Sequence, residues 1–200
     1  AYIKQLEKAM SREFGSAYSP LLVSVRSGAK ISMPGMMDTI LNLGINDDIV
    51  VGLGRLMGDL RPALDAYRRF IQKYAEVVMG MEAQGFEDII ENQKKIQGVD
   101  LDHKLSVEHL RKMIDDFKAL IVEHTGSNVP EDPWDQLRES IEAVFKSWKN
   151  PRAMYYRDFH GISHDLGTAV TVMAMAFGNL GDDSGTGVLF TRNPATGAKE

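Results

Sequence analysis

The middle of the sequence repeats apolar residues at the spacing of an α-helix with one buried face. Between positions 64 and 81 they recur every three or four residues, at Leu64, Tyr67, Ile71, Tyr74, Val78 and Met81. Because a helix turns once in about 3.6 residues, these side chains form one stripe that must pack against something. A weaker stripe follows at Phe86, Ile89, Ile90, Gln93 and Ile96. Residues 46–134 are therefore predicted to be mostly helical.

Capping residues mark where several helices begin. Ser106 can accept a hydrogen bond from a first-turn N–H, and it precedes a stripe at Val107, Leu110, Ile114, Phe117 and Ile121. Asp132 followed by Pro133 opens another helix, because proline fits the first helical position. The residues predicted to face inward from that helix are Leu137, Ile141, Val144, Phe145 and Trp148. Asn150-Pro151 repeats the opening for a helix that reaches about His160.

The beginning of the chain combines a helix with short runs that are typical of strands. Residues 2–14 place apolar side chains on one helical face, and Gly15 can end that helix. Residues 21–25 form a short apolar run after a proline and indicate a buried strand. Residues 38–43 are predicted to be a second strand, closed by Gly44.

Strand patterns return near the end of the sequence. Residues 168–177 are rich in Val, Thr and Met, 178–183 are predicted to form a hairpin turn, and 186–191 are predicted to pair back as the partner strand. We therefore predict an α+β fold. Residues 1–45 and 135–200 would form a mixed α/β body, interrupted by a mostly helical insert over 46–134.

Composition narrows the possible functions. Of the 200 residues, 44% are hydrophobic and 26% are charged, which is sufficient for a packed core. The formal net charge is −5 and no basic tract is present, so nucleic acid is not an expected partner. The longest apolar stretch is shorter than the roughly 20 residues that span a bilayer, so no membrane association is expected. The absence of cysteine excludes disulfides, thiol nucleophiles and zinc–thiolate sites, and it agrees with a cytoplasmic protein.

The first candidate binding motif is Ser24-Val25-Arg26-Ser27-Gly28. The predicted buried strand ends at an arginine, and small residues follow it. The guanidinium group is a planar fork of donors that suits phosphate oxygens, and glycine lets a ligand approach the backbone. The alternative is an arginine paired with a core carboxylate beside a turn.

The second candidate comprises Ser184, Gly185, Thr186 and Gly187. Two glycines and two hydroxyls can present several backbone N–H groups to a phosphate chain. The motif differs from the Walker pattern because no Lys-Ser/Thr pair follows it. An ordinary hairpin turn is the alternative, since Gly and Ser are common in turns.

Several other features carry weaker signals. The loop over 32–38 contains three methionines around Pro34-Gly35, which could pack over a ligand or plug the core edge. Asp38 could hold a cation or cap a neighbouring backbone, and the roles of Met36 and Arg192 stay open. His160 and His164 have a helical metal-ligand spacing but no nearby third ligand, so we predict no metal site. Asp182-Asp183 is interpreted as a solvated turn.

Longer motifs reveal a resemblance. Residues 22–29 (LVSVRSGA) and 31–44 (ISMPGMMDTILNLG) closely resemble the pyruvate phosphate dikinase family. Residues 177–194 (FGNLGDDSGTGVLFTRNP) do so as well, and 143–157, with its Ser-Trp-Lys-Asn-Pro-Arg-Ala core, looks like the same family. The motifs occur in the family's order, and the resemblance extends over nearly the whole chain.

The resemblance implies an ATP-grasp-like nucleotide-binding fold that binds ATP and phosphate. Enzymes of this family convert ATP, phosphate and pyruvate to AMP, pyrophosphate and phosphoenolpyruvate with magnesium. It implies that Arg26 is the catalytic, phosphate-contacting arginine and that Ser184, Gly185, Thr186 and Gly187 form the loop over the ATP phosphates. The family's carrier histidine and pyruvate-binding barrel belong to other domains of the same chain, and the full-length enzyme is expected to be a homodimer. None of the five histidines here is assigned as the carrier.

The sequence is expected to be a fragment that is inactive alone. Its start lacks an initiator Met, and we expect the family's early lysine before residue 1 and its acidic metal ligands after residue 200. One alternative is a phosphoenolpyruvate synthase-like dikinase, which uses water in place of phosphate; the Met-rich loop and the long helical segment argue against it. Another alternative is a non-catalytic helical interaction module whose stripes serve a partner groove.

Overall fold

The computed structural model describes residues 2–180 and 183–199. Within these residues the chain forms seven α-helices and three β-strands. In order they are α1 (Tyr2–Met10), β1 (Val23–Gly28), β2 (Thr39–Leu43), α2 (Asp47–Met57), α3 (Leu60–Val77), α4 (Gln84–Gln97), α5 (Val107–Thr125), α6 (Pro133–Lys146), α7 (Pro151–His160) and β3 (Ala169–Ala174). Short 3-10 turns lie at Asp102–Lys104, Ser147–Lys149 and His164–Leu166. The predicted α+β class is confirmed.

The three strands form an antiparallel sheet in the order β2-β1-β3. Val23, Ser24 and Val25 of the central strand β1 are all buried, and because successive side chains point to opposite faces, both faces of its first half are covered. Arg26 pairs in register with Thr39 of β2 and Thr171 of β3. The sheet therefore brings residue 26 to the place where the central strand leaves the core.

Helices α2–α5, all within 46–134, follow the predicted stripes and caps. The Ser106 hydroxyl accepts from the His109 N–H at 3.4 Å, and the Asp132 carboxylate accepts from the Trp134 N–H at 2.7 Å. Both predicted helix starts are confirmed. Helix α7 also begins at Asn150-Pro151, although the Asn150 side chain does not cap it and is used in another contact. The division into an α/β body and a helical insert stays a prediction.

Helices and sheet share buried side chains. Val25 and Ile40 of the sheet, Phe70 of α3 and Phe117 of α5 belong to one hydrophobic cluster. Gln136 of α6 also connects distant segments: its Nε2 donates to the Ile45 carbonyl at 3.0 Å, and its Oε1 accepts from the Gly44 N–H at 2.9 Å. A buried amide that satisfies backbone groups in this way fixes α6 against the end of β2.

Close approach of two segments explains one glycine. The Ala17 carbonyl oxygen lies 1.8 Å from where a Cβ on Gly52 would stand. The absence of a side chain therefore lets α2 pack directly against the backbone that follows α1. No helix in the described part of the chain is both long and apolar enough to cross a bilayer.

The predicted strand over 186–191 is wrong. These residues form no strand in the structure, and Val188, Leu189 and Phe190 have exposed fractions of 79%, 93% and 62%. A strand needs a neighbour to pair its backbone groups, but here the chain leaves the sheet after β3 and no ladder forms between β3 and 186–191. Two residues of the predicted hairpin turn, Gly181 and Asp182, lie outside the described residues.

Smaller corrections concern helix ends and one side chain. Helix α1 ends at Met10, because the chain turns at Ser11, which has a φ of 53°, before it reaches Gly15. The Glu7 carboxylate then accepts from the Phe14 N–H at 3.0 Å and holds the chain folded back. Trp148 is buried as predicted, but Phe145 is 49% exposed, because the end of α6 turns that face to solvent.

Candidate functional site

Arg26 is the first exposed residue of β1 after its buried half. Among residues 2–180 and 183–199 its guanidinium group forms no hydrogen bond and no ion pair. The alternative of an arginine paired with a core carboxylate is therefore wrong for the described chain. A charged group left unpaired at the end of a buried strand is available to a ligand anion.

Arg26 stands at one end of a groove of about 410 Å³. The lining residues all belong to the segment from β1 to β2 and include three hydroxyl side chains, those of Ser27, Ser32 and Thr39. Gly35 adopts a φ of +73°, a left-handed conformation that favours glycine and turns the loop back towards β2. One cation and several hydroxyls around a small groove suit phosphate oxygens better than an apolar ligand. In the same loop Met33 is buried, as expected for a side chain that plugs the edge of the core.

Asp38, at the end of this loop, connects it to the start of α7. Its carboxylate accepts from the Asn150 side-chain amide at 2.9 Å and forms an ion pair with Arg152. The Arg152 Nε–H donates to the Met36 carbonyl at 3.1 Å, and the Asp38 N–H donates to the Ser147 hydroxyl at 3.2 Å. The Asp38 carboxylate therefore contacts side chains at the start of α7, and whether it also holds a cation or caps a backbone stays open.

The second predicted motif lies elsewhere. Gly185, Thr186 and Gly187 are exposed, and Ser184 is half-buried. A Cβ on Gly178 would stand 1.7 Å from the Thr186 hydroxyl oxygen, so this loop packs directly on the Gly178 backbone. The lining of the Arg26 groove comes from residues 26–39, and the structure therefore does not bring the two motifs into one cavity. Their joint action on one nucleotide stays a prediction.

The histidines with metal-ligand spacing are held by other side chains. His164 Nδ1 accepts from the Arg157 Nε–H at 2.9 Å, and its Nε2 contacts the Asp158 carboxylate at 2.8 Å. The His160 ring packs on Tyr156 with centroids 4.2 Å apart. No group of His, Asp and Glu in the described part of the chain could hold a metal ion.

Sequence reasoning missed two arginine contacts. Arg157 is 1% exposed and stacks over Trp148 at 3.9 Å from the ring centroid. Arg152 joins Asp38 from 114 residues away. The only sequence signal for these contacts was that Asn150-Pro151-Arg152 lies within the family-like segment 143–157. That signal did not indicate which residues the arginines would contact.

A second cleft lies between the end of α3 and the start of α7. Its charged residues pair within the cleft, Lys73 with Glu76 and Arg152 with Asp38. Two cations and two carboxylates that neutralise one another attract a phosphate less than one unpaired arginine does. The Arg26 groove is therefore the better candidate for an anionic ligand.

Comparison with known proteins bears on this candidate. The sequence matches the family described as "Pyruvate phosphate dikinase, AMP/ATP-binding domain" over residues 1–200. It is 54% identical over 198 residues to pyruvate, phosphate dikinase of Rhizobium meliloti (strain 1021), and 52% identical over 198 residues to that of Clostridium symbiosum. These alignments cover 99% and 98% of this chain but 22% and 23% of the relatives. A chloroplastic relative from Mesembryanthemum crystallinum is 49% identical over 198 residues, which is 99% of this chain and 21% of that protein. The chain thus spans about a fifth of the length of these relatives.

Proposed function

Because the chain belongs to the pyruvate phosphate dikinase AMP/ATP-binding domain family, we propose that it binds ATP and that Arg26 contacts the nucleotide's phosphate groups. The exposed, unpaired guanidinium at the mouth of the buried strand β1 is the observation that carries this proposal. A phosphate chain would supply the anion that the described residues do not provide. The hydroxyls of Ser27, Ser32 and Thr39 stand along the same groove and can donate further hydrogen bonds.

The loop of Ser184, Gly185, Thr186 and Gly187 is the second proposed phosphate contact. Its exposure leaves backbone N–H groups accessible, and successive N–H groups of a glycine-rich turn can surround an anion. For both motifs to reach one nucleotide, the loop must approach the Arg26 groove when ATP binds. In the structure the loop packs directly on Gly178, so this approach would require that contact to break.

We place this chain within a larger phosphotransferase. The whole enzyme would convert ATP, phosphate and pyruvate to AMP, pyrophosphate and phosphoenolpyruvate. A carrier histidine and a pyruvate-binding barrel in other domains of the same polypeptide would complete the reaction, so residues 1–200 alone are inactive. The proposed full-length enzyme is a cytoplasmic homodimer. Stabilisation of the transferred phosphoryl group depends on positioning and on neutralising its charge, which is the role given to Arg26.

Magnesium would accompany the nucleotide phosphates and neutralise part of their charge. The described residues do not gather a His, Asp and Glu cluster that fits a metal ion. We propose, as the family resemblance implies, that the protein ligands of magnesium lie elsewhere in the full-length enzyme. The contribution of this chain is to bind and orient the phosphate groups.

The test uses the full-length enzyme with labelled ATP. Replacing Arg26 by Ala should reduce ATP-dependent phosphorylation of the carrier histidine by roughly 100-fold, since a hydrogen bond to a charged group contributes about 1.5–3 kcal/mol. Exchange between the phosphorylated carrier and pyruvate should stay near wild type, because that half-reaction takes place in other domains. Lys30→Ala, which removes an exposed cation from the same loop, is the matched control. Equal loss of both half-reactions would contradict the proposal.

A second measurement separates the dikinase from the synthase alternative. The intact enzyme should require inorganic phosphate and release pyrophosphate. Turnover that needs only water and releases phosphate would instead identify a phosphoenolpyruvate synthase-like activity.

A further inference from the structure

The wall of the Arg26 groove is attached to a distant part of the chain. Four hydrogen bonds join residues 36–38 to residues 147–152, across more than 100 positions of sequence. Asp38 takes part in three of them, and Arg152 takes part in two, because its guanidinium group reaches both the Asp38 carboxylate and the Met36 carbonyl. We refer to Asp38 and Arg152 as the clamp.

The clamp acts at the point where the groove ends. Met37 and Thr39, on either side of Asp38, both line the groove. Thr39 also pairs in register with Arg26 on β1. Together with the buried Met33 side chain, the contacts of residues 36–38 therefore restrain the position of the loop wall relative to the arginine.

The start of α7 is arranged around Asp38. Asn150 occupies the capping position but makes no side-chain cap, and its side-chain Nδ2 donates to the Asp38 carboxylate. Asp38 also lies beside the amino end of α7, where a negative charge is favourable. The side chains of Asn150 and Arg152 at the start of α7 thus both donate to the Asp38 carboxylate, which is more than a single incidental surface pair.

We propose that Asp38 and Arg152 are positioning residues for binding of a polyphosphate anion at Arg26. This inference rests on the proposed function, in that it takes ATP as the ligand of the groove. The clamp holds the loop so that Arg26 and the hydroxyls of the groove converge on the same phosphate oxygens. Without the clamp the loop is free to separate from Arg26, and the ligand loses contacts even though no contacting residue has changed.

The direction in which one substitution changes the affinity for ATP distinguishes a positioning role from a purely electrostatic one. Asp38→Asn removes a negative charge close to an anion site, which by Coulomb's law alone should strengthen ATP binding. Loss of the clamp should weaken it instead. Because the two explanations predict opposite directions, a measured affinity decides between them.

The experiment measures ATP binding to the full-length enzyme by calorimetry, without phosphate or pyruvate. Asp38→Asn is expected to weaken binding about 10-fold, with a smaller loss for Arg152→Lys, which retains the ion pair but gives up the bond to the Met36 carbonyl. Asp135→Asn is the matched control, because Asp135 forms an exposed pair with Arg138 at 2.8 Å on α6. This control should stay within twofold of wild type. Unchanged or tighter binding by Asp38→Asn would overturn the inference.

A second background tests whether the clamp acts through Arg26. In an Arg26→Ala enzyme, adding Asp38→Asn should cause no further loss of ATP affinity. A full 10-fold further loss would show that Asp38 acts elsewhere and would also overturn the inference. If Arg26→Ala alone leaves ATP binding intact, the proposed function fails; if Arg26→Ala weakens binding and Asp38→Asn does not, only the clamp fails. Thermal unfolding of each variant identifies misfolding, and Arg152→Lys then becomes the deciding variant.

Discussion

Arg68 and Arg26 are two arginines beside the same sheet, and the fold treats them in opposite ways. Arg68, on α3, is 3% exposed, and its guanidinium meets Asp65 at 2.9 Å and Asp102 at 2.7 Å. Arg26 is exposed at the end of β1 and has no carboxylate partner among the described residues. The protein thus pairs Arg68 with its own carboxylates, whereas Arg26, the proposed phosphate contact, has no such partner among the described residues.

This difference distinguishes an arginine that is paired within the protein from the arginine that we propose contacts a phosphate. Burial of Arg68 requires partners, because a buried charge without them costs several kcal/mol. Exposure of Arg26 lets water solvate the free guanidinium at little cost until an anion replaces the water. Replacing Arg68 should therefore change the free energy of unfolding, whereas replacing Arg26 should change the affinity for an anionic ligand.

The largest effect is expected from Arg68. Replacing it by Met should lower the free energy of unfolding of this chain by roughly 3 kcal/mol, because Asp65 and Asp102 lose their shared partner and remain partly buried. Urea unfolding followed by circular dichroism measures the change. Arg69→Met is a close control, since Arg69 also pairs with Asp65 at 2.9 Å but is 59% exposed at its side chain. Its loss should stay below about 1 kcal/mol, and equal losses would mean that burial does not decide the value of these pairs.

Asp102 should give a smaller effect that depends on pH. Burial alone would raise the pKa of its carboxyl group, but Arg68 and Lys94 outweigh burial and hold the pKa below its ordinary value. A lowered pKa in the folded state means that the ionised group stabilises the protein above the unfolded pKa of about 3.9. The stabilisation is lost as pH falls through the folded value.

Asp102→Asn should accordingly destabilise the chain by about 1–2 kcal/mol near pH 7. The difference from wild type should shrink below about pH 4, as the wild-type carboxyl group also becomes neutral. Unfolding curves at several pH values measure this, and Asp100→Asn, an exposed neighbour, serves as the control. If the difference in free energy of unfolding between wild type and variant stays constant down to pH 2, the negative charge of Asp102 does not account for its effect on stability.

Local sequence signals were sufficient for most of the secondary structure. Ser106 and Asp132 mark real helix starts because a cap is formed by residues within one turn of each other. Strand β1 was predictable because a short apolar run after a proline can be buried only inside a sheet. The position of Arg26 follows from that strand, whereas the remaining lining of the groove comes from the loop and β2.

Long-range contacts were not predictable in the same way. Asp38 and Arg152 meet across 114 positions, and neither residue's neighbours show any period that points to the other. Residues 186–191 have the composition of a strand, but composition does not supply a neighbouring strand to pair with, and these residues stay exposed. The approach of residues 184–187 to Gly178 likewise depends on tertiary packing.

The smallest expected effect belongs to Arg26 itself, and it is the sharpest test of the comparison. Arg26→Ala should change the free energy of unfolding by no more than about 0.5 kcal/mol, because an exposed side chain without partners contributes little to stability. The same urea measurement used for Arg68→Met provides the value. A loss near 2 kcal/mol would mean that Arg26 makes a stabilising contact in solution, and a groove occupied by its own protein partner could not also be the ligand site. A negligible loss, combined with the reduced phosphorylation expected of the full-length variant, would leave binding of an anion as the reason for placing an arginine there.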